Sequence, residues 1–148
     1  MKLTATYRLP APPERVFDAL RDPAVLCRCI EGCESLVLND QGGYDARIRV
    51  GLGSIKGTYT GQARITDERR PEAFTLLVDG KASGGWVKGS ARMRLAAEPP
   101  GAASVTCDAD GQVGGLIAAV GSRLVDAAAR RLMDRFFESL AREISPSS

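Results

Sequence analysis

The stretch Ala103-Ser-Val-Thr-Cys-Asp-Ala-Asp-Gly-Gln-Val-Gly-Gly-Leu-Ile-Ala-Ala-Val-Gly-Ser-Arg-Leu-Val125 changes its hydrophobic period midway, and that change decides the fold. Up to Val113 it alternates. Ala103, Val105, Cys107, Ala109, Gly111 and Val113 share one face, against Ser104, Thr106, Asp108, Asp110 and Gln112, the pattern of a strand with one dry and one wet side. From Leu116 the period lengthens to that of a helix running to about Ile144. At about 100° per residue, Ile117, Gly121, Leu124, Val125, Ala128, Leu132 and Phe136 gather on one side, opposite Arg123, Asp126, Arg130, Asp134 and Glu138. Asp126 with Arg130 and Glu138 with Arg142 add support at four-residue spacing.

Working back from this junction, residues Glu34 to Val113 keep the period of two. Turn residues interrupt them at Asn39–Gly43, Gly51–Ser54, Glu68–Pro71, Gly84–Gly85 and Pro99–Gly101, close enough together for hairpins. Tyr44, Ala46, Ile48 and Val50 alternate with Asp45, Arg47 and Arg49, and Ile55, Gly57, Tyr59, Gly61, Ala63 and Ile65 alternate with polar neighbours. At the start, Lys2 to Leu9 reads as a strand that Pro10-Ala-Pro-Pro13 ends, since proline is tolerated in a first helical turn and not within a sheet. A short helix then runs to Arg21 on Val16, Phe17 and Leu20, and Asp22 caps a second one that begins at Pro23 and ends at Ile30. The expected architecture is α+β: a curved antiparallel sheet of about seven strands wrapped around one long C-terminal helix, with two short helices after the first strand. Residues 1–144 are expected to form a single domain and residues 145–148 a disordered tail.

Composition narrows the function. The chain has 148 residues, 44% hydrophobic and 26% charged, enough to bury a core without metal or disulfide staples. Its 20 basic and 18 acidic residues are dispersed and aromatics make up 5%, which excludes the clustered basic footprint and stacking platform of a nucleic-acid binder. No apolar run approaches the ~20 residues of a membrane span, and the N-terminus lacks the apolar core of a signal peptide. The protein is therefore expected in the cytoplasm, with its thiols reduced. With no histidine in the chain, histidine acid–base catalysis and histidine metal sites are excluded.

The inward positions of the sheet are small: Gly57, Gly61, Ala63, Gly80, Ala82, Ala91, Ala109 and Gly111, facing Gly121 and Ala128 of the helix. Each glycine alone can serve a bend or bulge. Together they suggest a cavity, because layers about 10 Å apart need large side chains to fill the gap. Left empty, an apolar hole of ~300 Å³ would cost on the order of 7 kcal/mol. The expected lining is Ile48, Val50, Tyr59, Phe74, Leu76, Gly121, Leu124, Val125, Ala128, Leu132 and Phe136, almost all apolar, with a hydrophobic small molecule as guest.

Other candidate chemistry is sparse. Cys27-Arg-Cys-Ile-Glu-Gly-Cys33 concentrates three of the four cysteines, but Cys27 and Cys29 point about 200° apart on a helix, and C-x-C-x3-C lacks the C-x-x-C arms of a zinc site. Small buried hydrophobe is the expected role of these residues, with Cys107 on the core face of its strand. Gly51-Leu-Gly-Ser-Ile-Lys-Gly57 neither precedes a helix nor ends in Gly-Lys-Ser/Thr, so it is a hairpin and not a phosphate loop. Glu31 and Glu34 form the one acidic pair near the expected cavity mouth. No catalytic and no metal-ligating residues are assigned.

Four segments resemble the family of the carbon monoxide dehydrogenase G subunit: Pro10-Ala-Pro-Pro-Glu-Arg-Val-Phe-Asp-Ala-Leu-Arg-Asp-Pro23, Ile30-Glu-Gly-Cys-Glu-Ser-Leu36, Gly84-Gly-Trp-Val-Lys-Gly-Ser-Ala91, and Gly111 through Val125. The first is shared across the START-like (SRPBCC) helix-grip superfamily; the Gly-Cys-Glu-Ser and Gly-Gln-Val-Gly-Gly to Gly-Ser-Arg-Leu runs narrow the likeness to this one family. Glu31 stands where that family usually has proline. The resemblance implies a helix-grip fold and a non-enzymatic accessory protein of a molybdenum-containing dehydrogenase. It also implies a part in recruiting that enzyme to the inner face of the cytoplasmic membrane and in passing its electrons to a respiratory quinone held in the cavity. No cofactor of its own is implied. Longer members carry a C-terminal membrane-binding segment, whereas this chain stops at Ser148. Arg47, Arg49, Arg92 and Arg94 are the candidate docking row for the molybdenum hydroxylase-type enzyme. The alternatives are a polyketide cyclase or hydrolase on the same fold, with Glu31 or Glu34 as base, and a ligand-free maturation or scaffold protein.

Overall fold

In a computed structural model, described for residues 1–52 and 55–145, the chain begins with strand β1 (Lys2–Leu9) and two short helices, α1 (Pro13–Ala19) and α2 (Pro23–Cys29). Six strands follow: β2 (Cys33–Leu38), β3 (Tyr44–Leu52), β4 (Ile55–Arg69), β5 (Ala73–Ala82), β6 (Gly85–Glu98) and β7 (Ala102–Gly115). A one-turn helix α3 (Leu116–Ala119) and a long helix α4 (Ser122–Glu143) come after β7. All seven strands form one antiparallel sheet in the order β1-β7-β6-β5-β4-β3-β2, a meander to which the first strand is added beside the last. The turn expected at Gly51–Ser54 includes Gly53 and Ser54, and the expected tail includes residues 146–148; these lie outside the described residues.

The start signals act as their chemistry requires. Asp22 caps α2 by accepting the Ala24 N–H at 2.9 Å, with Pro23 in the first turn, where its missing N–H costs nothing. Inner and outer faces follow the period of two: Val105 and Cys107 are buried, while Thr4, Asp108 and Arg94 form a polar row outside, with Thr4 and Arg94 both donating to the Asp108 carboxylate.

The core is concentrated at one end of the sheet. Val16 and Phe17 of α1 pack with Phe74, Met93, Leu95, Val105 and Cys107 from the strands and with Phe137 and Leu140 of α4. Phe17 meets Phe74 edge to face, with ring centroids 5.4 Å apart.

One sequence expectation is corrected. The single helix from Leu116 is broken after Ala119, because Gly121 adopts φ +96°, a left-handed conformation that ends the run of helical hydrogen bonds. At Gly61 on the inner face the missing side chain serves close approach of the neighbouring strand. Gly61 and Gly80 pair in register, and a Cβ on Gly61 would lie 2.3 Å from the Asp79 carbonyl oxygen, so the bare backbone lets β4 and β5 coil against each other.

Candidate functional site

A cleft lies at the end of β7 that β1 does not reach. β1 pairs with β7 only as far as Lys2 opposite Asp110, and beyond it just the Met1 backbone continues the ladder, its ammonium donating to the Gly111 carbonyl at 2.9 Å. β7 runs on to Gly115 with β6 as its only partner strand; there a φ of +71° turns the chain into α3, and Gly121 turns it again into α4. A Cβ on Gly115 would fall 2.6 Å from the Gly84 carbonyl oxygen, so the elbow is seated against the β5–β6 hairpin.

Between strand end and elbow is a cleft of about 460 Å³. Gly111, Gln112 and Val113 form one wall, with Met1 at the rim; Ala118, Ser122, Val125 and Asp126 form the other, and Trp86 closes one end. Trp86 can lie flat because its neighbour across the ladder is Gly114: a Cβ there would come within 2.2 Å of the indole. One Asp126 carboxylate oxygen is buried with no hydrogen-bond partner. Leu116 and Leu124, on the elbow itself, are 72% and 55% exposed, and Trp86 is 40% exposed.

The sequence-predicted lining residues are distributed unevenly. Val125 is buried and lines the cleft. Phe74 belongs to the solid core, and Leu76 and Phe136 flank that core half-buried. Ile48, Val50 and Tyr59 are half-buried on the inner face of β3 and β4, as are Ala128 and Leu132 on α4. Burial raises the Tyr59 phenol above its ordinary range. Leu124 faces solvent, and Gly121 is the exposed hinge. The cleft residues that sequence reasoning did not single out are Met1, Trp86, Gln112, Ala118, Ser122 and Asp126.

The remaining candidates are tied into the surface. Glu34 accepts from Arg47 at 2.8 Å, and Glu31 lies 3.5 Å from Arg135, so neither carboxylate reaches the cleft. Within the expected docking row Arg47 is thus paired, Arg94 is paired with Asp108, and Arg92 donates to Thr75 Oγ1 at 3.0 Å. Cys29 and Cys107 are core residues at 3% and 2% exposure, while Cys27 and Cys33 meet sulfur to sulfur at 2.6 Å, a pairing that helical spacing alone does not reveal. Among the described residues no cluster of histidine, cysteine or acidic side chains has the geometry of a metal site. Nor is any helix among them long and apolar enough to cross a membrane.

Residues 6–145 match the family of the carbon monoxide dehydrogenase G subunit, CoxG. A conserved protein from Geobacillus kaustophilus is 30% identical, with a TM-score of 0.93 over 97% of this chain and 95% of its own. A START superfamily protein from Mycobacterium smegmatis shares the fold at 11% identity, with a TM-score of 0.73 over 97% of this chain and 96% of its own. An aromatase/cyclase from Streptomyces shares it at 15% identity, with a TM-score of 0.67 over 97% of this chain and 92% of its own. No curated protein matches the chain.

Proposed function

The chain belongs to the CoxG family of carbon monoxide dehydrogenase, and from that premise we propose that it is a non-enzymatic accessory protein of a molybdenum-containing dehydrogenase. In this reading it holds an apolar small molecule, a respiratory quinone, in the cleft between β7 and the α3–α4 elbow and exchanges it with the inner face of the cytoplasmic membrane. The observation that carries the reading is the cleft: its ~460 Å³ falls within the ~300–1,000 Å³ of small-molecule sites. Its chemistry suits a quinone head group. The Trp86 indole offers a stacking face, and the Ser122 hydroxyl and Gln112 amide are donors for ring oxygens that can only accept. The exposed Leu116, Leu124 and Trp86 supply an apolar rim through which such a guest could pass to lipid without crossing water.

The cyclase alternative gains only a shared fold, since Glu31 and Glu34 are exposed ion-pair partners outside the cleft. Mass spectrometry of organic extracts from the purified protein tests the proposal. An apolar compound should co-purify with the native chain and be lost from Ala118→Trp, which fills the cleft from an exposed position. Extracts empty of any stoichiometric compound would leave the ligand-free scaffold.

A further inference from the structure

We infer that Cys27 and Cys33 are an oxidisable dithiol pair that closes into a disulfide and staples α2 to β2. Cys27 sits in the last turn of α2 and Cys33 opens β2, and the short turn between them is fixed by two features. Gly32 reverses the chain at φ +84°, where a Cβ would lie 1.9 Å from the Arg49 carbonyl oxygen, and its own carbonyl accepts the Arg49 N–H at 2.8 Å. That turn brings the two sulfurs to 2.6 Å, so only ~0.5 Å of closure separates them from a covalent S–S bond. Their placement also isolates them. Cys29 and Cys107 are buried in the core, whereas Cys27 and Cys33 are half-buried and within reach of a small oxidant. Burial, reinforced by the neighbouring Cys27 sulfur, pushes the Cys33 thiol up to about 12, which makes Cys33 the poorer site of first attack and suits it to the resolving step.

With a peroxide as oxidant the chemistry closes. Cys27 gives its proton to solvent and its sulfur attacks one peroxide oxygen; the O–O bond breaks, leaving a sulfenic acid and one water. The Cys33 sulfur then attacks the sulfenic sulfur, the S–S bond forms, the S–O bond breaks, and a second water leaves with the Cys33 proton. Two thiols lose two electrons and the peroxide gains them. The staple acts where the helix layer meets the sheet edge: Arg28 and Glu31 beside it are ion-paired to Glu143 and Arg135 of α4, and Cys33 pairs with Ile48 of β3. Oxidation thus adds a covalent tie between α2 and β2 beside the ion pairs that hold α2 and the turn after it to α4.

The inference holds whether or not the cleft takes a ligand, and the reduced, intact protein tests it. After hydrogen peroxide, maleimide labelling under native conditions and then in denaturant, tryptic peptides 22–28 and 29–47 should be joined, because Arg28 is cleaved between the two sulfurs. The joined pair should weigh two hydrogens less than its parts, Cys29 and Cys107 should label only after unfolding, and proteolysis across residues 30–33 should slow. Cys27→Ser and Cys33→Ser should each abolish the link while circular dichroism stays unchanged. Sulfinic acid at Cys27 without a link, a link to Cys29, or a link between chains would overturn it.

Discussion

The Tyr7 hydroxyl donates to Asp134 Oδ1 across 2.6 Å while its ring stacks on Phe137 with centroids 4.2 Å apart, so one side chain of edge strand β1 grips α4 by both a polar and an apolar contact. Tyr7→Phe keeps the stack and removes the hydrogen bond to a carboxylate, which should cost about 1–2 kcal/mol in urea unfolding. A loss indistinguishable from zero would mean that water replaces Asp134 without penalty.

The same residue sets the alkaline limit of stability. Burial first, then the Asp134 carboxylate, raises the Tyr7 phenol above its ordinary value, and burial does the same at Tyr44 and Tyr59. A tyrosine is neutral when protonated, so the folded chain holds these protons more tightly than the unfolded one. Their contribution is complete below the unfolded value of about 10 and is lost as pH rises above it. Urea midpoints should be flat across pH 8–9 with respect to these groups and fall above pH ~10, less steeply in Tyr7→Phe. Equal slopes in both proteins would assign the linkage to Tyr44 and Tyr59.

Phe74→Ala should cost about 3–5 kcal/mol, because Phe74 is 2% exposed and its partner Phe17 is wholly buried. Leu124→Ala should stay within about 0.5 kcal/mol, because Leu124 is 55% exposed. Thermal unfolding of the pair separates the solid core from the elbow. A large effect at Leu124 would place that side chain against the sheet, as the unbroken helical period implies.

That contrast shows what the sequence made legible. Strands, hairpins and the two short helices rest on local signals, alternation and proline or aspartate starts, which act within a few residues of where they are written. The break at Gly121 is invisible to periodicity because apolar residues recur on both sides in phase, and only a glycine followed by a serine hints at a new helix start. Gly61 likewise reads equally as void or bend. The bend is decided by the neighbouring strand's backbone, 2.3 Å from where a Cβ would sit, a contact that no pattern within one strand encodes. The cleft depends on where β1 stops against β7, so Met1 and Asp126, over a hundred positions apart, become neighbours only through the register of the first and last strands.

Gly114 should report on the cleft through the chain's single tryptophan. A Cβ at this position would overlap the Trp86 indole at 2.2 Å, so Gly114→Ala must push the ring away from the strand and further into water. The expected result is a red shift of the emission maximum and easier quenching by iodide. Unchanged emission would show that the indole does not rest on Gly114, and with it would go the stacking face of the cleft.

The elbow's apolar rim gives the sharpest test of exchange with lipid. Leu116 is 72% exposed, so Leu116→Glu should leave the unfolding midpoint within about 0.5 kcal/mol of the native chain. In a bilayer surface the same side chain would lose about 1.5 kcal/mol of burial, equivalent to roughly tenfold in partitioning, with the cost of burying a carboxylate added. Sedimentation with phosphatidylglycerol–phosphatidylethanolamine vesicles should therefore show binding of the native chain and at least a tenfold weaker association of the variant. Equal binding of both would move the lipid contact elsewhere on the surface. No binding of either would leave the guest to be handed over by direct docking on the partner enzyme.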